Sequence, residues 1–202
     1  MIRFCTLLLC GVLTMSLMAC GDAPTDGQLA GSTGTMEDSE AAADVLQKMA
    51  RFKHLSLDAD HVHARKANGR FLRVEHPDAD GWVDMLTLQK ADGTPVVLYL
   101  QSICEPDCEQ QLRAYAYAGG RFVDETESLI PTDLKAKLLK SGKPPRENRV
   151  GLGYLLEATT ARVDLYIYQV NDAKVYEQMQ VRGEAAGRLQ WDGARFVWQA
   201  AA

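Results

Sequence analysis

A seven-residue pattern that occurs twice constrains this chain more than any other feature. Tyr117-Ala118-Gly119-Gly120-Arg121-Phe122-Val123 returns as Trp191-Asp192-Gly193-Ala194-Arg195-Phe196-Val197. Glycine between two runs of β-forming residues is a hairpin signal, because the turn needs backbone angles that only glycine adopts without strain. The two strands before each hairpin also correspond. Asp84-Met85-Leu86-Thr87-Leu88 followed by Val97-Leu98-Tyr99-Leu100-Gln101 matches Gly153-Tyr154-Leu155-Leu156 followed by the run 162–169. This predicts two related four-strand meanders. Short connections force neighbouring strands to pair antiparallel, and two such units are too few to close a propeller. The expected fold is therefore α+β and mainly antiparallel β, built either as a small sandwich or as one strongly curved sheet.

The remaining elements follow from periodicity. Ala42, Val45, Leu46, Met49 and Phe52 recur at helical spacing, with Asp38 or Ser39 as the cap, and predict an N-terminal helix with one apolar face. Strands are expected at 71–75, 82–89, 96–103, 111–117 and 121–125, separated by Pro77-Asp78, Asp92-Gly93, the cysteine turn and Gly119-Gly120. The stretch from Leu55 to Lys66 shows no decided period, and Ala67-Asn68-Gly69 ends it as a turn. A second helix is expected between the halves. Thr132 caps it, Leu134, Leu138 and Leu139 form its apolar side, and Gly142 with Pro144-Pro145 stops it.

The N-terminus carries an address. Met1-Ile2-Arg3 is a short start with one positive charge, and the 15 residues from Phe4 to Met18 are uncharged and mostly apolar. That run is too short to cross a hydrocarbon core of about 30 Å as a helix. It ends in Leu17-Met18-Ala19-Cys20-Gly21. This segment resembles the lipobox of bacterial lipoproteins, with leucine three before the cysteine and a small residue just before it. The resemblance implies cleavage after residue 19, a diacylglycerol thioether on Cys20 and an acylated new amino group. Several acyl chains at about 0.8 kcal/mol per buried methylene make attachment to the bilayer effectively permanent. In that family, a residue other than aspartate after the cysteine, here Gly21, goes with the outer membrane. An ordinary secretory signal is the alternative, and it leaves Cys20 unexplained.

The chain divides accordingly into a signal at 1–19, a lipidated cysteine and tether at 20–38, and one globular domain at 39–202. Gly, Ser, Thr, Asp and Pro dominate residues 21–38, a composition too polar to offset its own ordering entropy. Cleavage takes Arg3 away and leaves 21 basic against 27 acidic residues, a net charge of −6. Without a basic cluster, the composition argues against nucleic acid as a partner.

Cysteine usage agrees with export. Cys5 and Cys10 leave with the signal and Cys20 carries the lipid, so Cys104 and Cys108 remain as an even pair, expected to form a disulfide across a tight turn. A redox centre would want cationic neighbours, whereas Glu105, Asp107 and Glu109 surround this pair. A zinc site would want a second pair of ligands.

Two groups of side chains are candidates for function. Strand alternation sets Tyr99, Tyr115, Tyr117, Tyr166 and Tyr168 opposite the aliphatic residues, an expected tyrosine-rich binding face. His61, His63 and His76, with Asp58, Asp60 and Asp78 nearby, are weak candidates for a metal site. No serine elbow, phosphate-cradling glycine loop or paired zinc histidines appear, and no cofactor is expected. The reading from sequence is a membrane-tethered periplasmic lipoprotein of the outer membrane, a non-catalytic binding or accessory module for an envelope protein or polymer. The alternative is a metal-binding protein or metalloenzyme using the three histidines.

Overall fold

The computed structural model describes residues 39–104, 108–141, 150–169 and 185–200, the side chains of 39, 108, 138–141, 150–151 and 167–169 excepted. The expected signal, Cys20, the expected tether and the expected Pro144-Pro145 stop lie outside the described residues. The elements are α1 (Ser39–Phe52), β1 (Val62–Lys66), β2 (Phe71–Glu75), β3 (Gly81–Gln89), β4 (Pro95–Cys104), β5 (Cys108–Ala118), β6 (Arg121–Asp124), α2 (Thr126–Leu129), α3 (Leu134–Ser141), β7 (Val150–Glu157), β8 (Arg162–Gln169), β9 (Gly187–Trp191) and β10 (Phe196–Ala200). Among the described residues no helix is long and apolar enough to cross a membrane.

The strands form two antiparallel meanders, a six-stranded sheet in the order β1 to β6 and a four-stranded sheet in the order β10-β9-β8-β7. The architecture is thus a sandwich of two sheets, and the curved single sheet is set aside. β1 and β2 extend the first meander beyond the repeated unit. β1 is an edge strand with a register shift between Val62 and Ala64, and its sequence Val-His-Ala-Arg-Lys alternates only weakly. An edge strand half open to water needs no continuous apolar stripe, which is why this element left so faint a pattern.

Alternation along the six-stranded sheet builds two cores. Val83, Met85, Val97, Tyr99 and Tyr115 face one way and pack under Val45, Leu46, Met49 and Ala50 of α1. Leu86, Leu88, Val96, Leu98, Leu100, Leu112 and Ala114 face the other way and meet Leu156, Val163, Leu165, Leu189, Trp191 and Phe196 of the four-stranded sheet. Leu129, Ile130 and Leu134 of the α2–α3 region close one end of this second core. The layers therefore run α1, six-stranded sheet, four-stranded sheet.

The repeated hairpins adopt the same register. Tyr117 pairs with Phe122 and Trp191 with Phe196, and the rings in each pair tilt against each other at 4.8 and 5.2 Å between centroids. The first pair faces α1, where Phe52 lies 5.4 Å from Phe122, while the second lies within the inter-sheet core. The second hairpin also docks on the first meander. Trp191 Nε1 donates to Gln89 O at 3.1 Å, and Ala91 N donates to Gly193 O at 2.8 Å.

A candidate binding surface on the four-stranded sheet

The six-stranded sheet packs against α1 on one face and the four-stranded sheet on the other, so the sheet face that no described element covers belongs to the other layer. In β8, Val163 and Leu165 point into the core, which turns Arg162, Asp164 and Tyr166 outward. In β7, Leu152, Tyr154 and Leu156 point in, leaving Leu155 and Glu157 outside. In the same way Arg188 and Gln190 of β9, and Val197 and Gln199 of β10, fall on the outer face. Register sets Arg188 between Asp164 and Gln199, and Gln190 between Arg162 and Val197.

Beneath this face one glycine makes room for a tryptophan ring. A β-carbon at Gly187 would fall 1.9 Å from Cη2 of Trp198, so only glycine lets that ring lie against the inner side of β9.

Its chemistry is polar and planar. Asp164 is 7% exposed and is clasped by Arg162, with Nε to Oδ1 and Nη2 to Oδ2 both at 3.0 Å. The first contact is an ion pair without hydrogen-bond geometry, and Oδ1 accepts no hydrogen bond. Arg188 Nε is also closed off from solvent without an acceptor. Among the described residues Arg188 takes part in no ion pair. Burial raises the Tyr166 hydroxyl above its ordinary pKa, and the carboxylates of Asp164 and Glu157 push the same way against Arg162. Val197, 39% exposed, is one of the larger apolar groups left to solvent.

The expected tyrosine face is corrected by this arrangement, because it divides into two. Tyr99 and Tyr115, 6% and 3% exposed, lie beneath α1. Burial pushes the Tyr99 hydroxyl up to about 12. Lys53 closes this cluster from the end of α1, donating from Nζ to Tyr115 Oη at 2.8 Å with Nζ 4.4 Å from the ring centroid. Tyr117 is half-buried against Phe122. These three are packing residues, displaced from the expected role because the helix needed a sheet face to cover. Tyr166 remains on the open face, and the side chain of Tyr168 lies outside the described residues.

The histidines do not come together. His61 Nδ1 pairs with Glu75 Oε2 at 2.8 Å, His63 is exposed, and His76 Nε2 lies 2.8 Å from the Gln101 amide while its Nδ1 accepts from Asp78 N. Among the described residues no group of three His, Cys, Asp or Glu is placed to hold a metal ion. Cys104 is disulfide-bonded, and the residue opposite it across the β4–β5 pairing is Cys108, whose side chain lies outside the described residues.

Two further features escaped the sequence reading. Asp84, buried on the inter-sheet side, is bound by Arg73 through Nε at 2.6 Å and Nη2 at 2.7 Å, and Arg73 in turn lies over the Trp82 ring at 5.2 Å. Burial raises the Asp84 carboxyl, with Arg73 opposing it. The acid–arginine register across β2 and β3 is the signal that would have revealed the pair. A groove of about 560 Å³ beside β5 and α2 is lined by Gln111, Arg113, Asp124, Glu125, Thr126 and Ser128 among others. Two of its three carboxylates, those of Asp124 and Glu125, are already occupied, Glu127 being the third. Asp124 Oδ1 accepts from Thr126 N and Oγ1, and Glu125 pairs with Lys90 at 2.6 Å.

No protein-family model matches the chain, and no curated protein matches its sequence. Among solved structures it is similar to a domain of an uncharacterized protein from Porphyromonas gingivalis W83. That likeness has 16% identity and a TM-score of 0.42, and covers 79% of this chain and 88% of the other.

Proposed function

We propose that this chain is a lipoprotein, anchored in the outer membrane by acylated Cys20, facing the periplasm. Its folded domain is a non-catalytic binding or accessory module that meets an envelope protein or polymer through the outer face of β7 to β10. The observation that carries the reading is Leu17-Met18-Ala19-Cys20 standing after a charged start and an uncharged apolar run. The disulfide at Cys104 supports an oxidising compartment. A polar sheet face that no described element covers supplies a contact surface.

The test is metabolic labelling with radioactive palmitate of the chain and of Cys20→Ser. Label in the first alone, recovered with the membrane fraction, is the expected result. Absence of label from both overturns the anchor and with it the envelope assignment.

A further inference from the structure

We infer that the outer face of the four-stranded sheet binds an acidic glycan, with Arg188 taking the anionic group. This rests on the reading of that face as the contact surface and adds the chemistry of what it contacts.

Arg162 is spent on Asp164, through the two contacts of 3.0 Å. Glu157 stands across β8 from Arg188, opposite Arg162, so it is separated from Arg188 by a whole strand. Strands lie about 4.8 Å apart, which puts that carboxylate beyond direct contact. Arg188 is left with no ion pair among the described residues and with Nε already withdrawn from water. A guanidinium in this condition gains from a carboxylate or phosphate delivered to the face, because charge-assisted bonds to arginine are the stronger class.

Shape and composition then choose between kinds of ligand. A protein partner is gripped by clustered aromatic and aliphatic anchors in well-packed pockets. Among its described residues this face offers a half-buried Leu155 and Tyr166 and an exposed Val197, on three different strands, among side chains that are mostly polar. Around Arg188 it offers the planar amide of Gln199, able to donate and accept at once, and that of Gln190, whose Nε2 already donates to Thr160 O at 3.0 Å and whose oxygen is left to accept. Vicinal sugar hydroxyls need that pairing, and Tyr166 adds one ring with a polar tip. A linear chain carrying an acidic group at intervals fits the outer surface of a sheet better than a small molecule, which would seek a concave site.

The experiment uses the full lipidated chain in detergent micelles, with an oligogalacturonate as the acidic probe and a neutral β-1,4-glucan oligomer of the same length. Calorimetry is expected to detect binding of the uronate alone, weakening as salt is raised. Arg188→Gln is expected to lower affinity at least about tenfold, the loss for one charge-assisted bond. Lys48→Gln, on α1, is expected to leave it unchanged. Hydrogen exchange with the uronate bound is expected to slow in peptides covering 162–166, 187–190 and 196–199. No binding at millimolar uronate, equal binding of the neutral oligomer, indifference to Arg188→Gln, or protection elsewhere would each overturn the inference. Palmitate incorporation is read on the same preparation, so a failed glycan test with the label present removes the ligand and leaves the anchor standing.

Discussion

Gln110 joins the two sheets where no backbone ladder does. Its Nε2 donates to Ser102 Oγ at 2.9 Å and its Oε1 accepts from Tyr154 N at 2.6 Å, so one side chain serves β4 and β7 together. Ser102 is fully buried, and a buried polar atom that loses its partner costs about 1–3 kcal/mol. Gln110→Ala is therefore expected to lower unfolding free energy by about 1–3 kcal/mol, measured as a drop in the urea midpoint at unchanged slope. His61 gives a second prediction at this scale. The hydrogen bond to Glu75 is the largest cause raising its pKa above 6.5. A raised folded value means the interaction is fully present below 6.5 and is lost as pH climbs through the folded pKa. An NMR titration of the His61 ring is expected to show that raised pKa, and Glu75→Gln is expected to bring it down. An unchanged titration would deny the contact any electrostatic role.

Helix α1 ends in a Schellman-type cap. Leu55 N donates to Ala50 O at 2.9 Å and His54 N to Arg51 O at 3.1 Å, with His54 at φ 55. Glycine is the usual residue there, since an L-side chain in this conformation costs about 1–2 kcal/mol. His54→Gly is expected to raise stability by about 1 kcal/mol after the glycine entropy cost is subtracted, read as a higher urea midpoint. Gly187→Ala in β9 acts in the opposite sense. Its new carbon would fall 1.9 Å from Trp198, so a loss of about 1–3 kcal/mol is expected, with a change in tryptophan fluorescence as that ring is displaced. The elements themselves were largely legible. β2 through β6 follow their expected runs closely, and the repeated aromatic-glycine-arginine-phenylalanine pattern announced both hairpins because turn geometry and cross-strand rings are local properties. β1 was not legible, since Val62 and Ala64 sit on either side of a register shift.

Across the whole molecule, legibility failed at the step from strand faces to layers. Alternation correctly set Tyr99 and Tyr115 opposite Leu98 and Leu100, yet gave no sign that α1 would cover that side. Which sheet a helix chooses depends on contacts between residues far apart in sequence, and periodicity does not carry them. The same limit hid the open face, because only register brings Arg188 beside Asp164. Burial at this scale yields a prediction for alkaline solution. Tyr99 is raised from 10.0 to about 12, chiefly by burial, so the neutral hydroxyl is favoured in the fold. Stability should hold below pH 10.0 and fall as pH rises toward about 12. Absorbance of tyrosinate against pH, compared with Tyr99→Phe, checks this: the wild type should show a late-ionising tyrosine that the variant lacks.

The order of layers also gives the molecule a front and a back. The chain enters through α1, on one side of the six-stranded sheet, while Arg188 and Tyr166 stand on the far side of the layer beyond. Ser39 and the face that carries Arg188 therefore lie on opposite sides of the two stacked sheets.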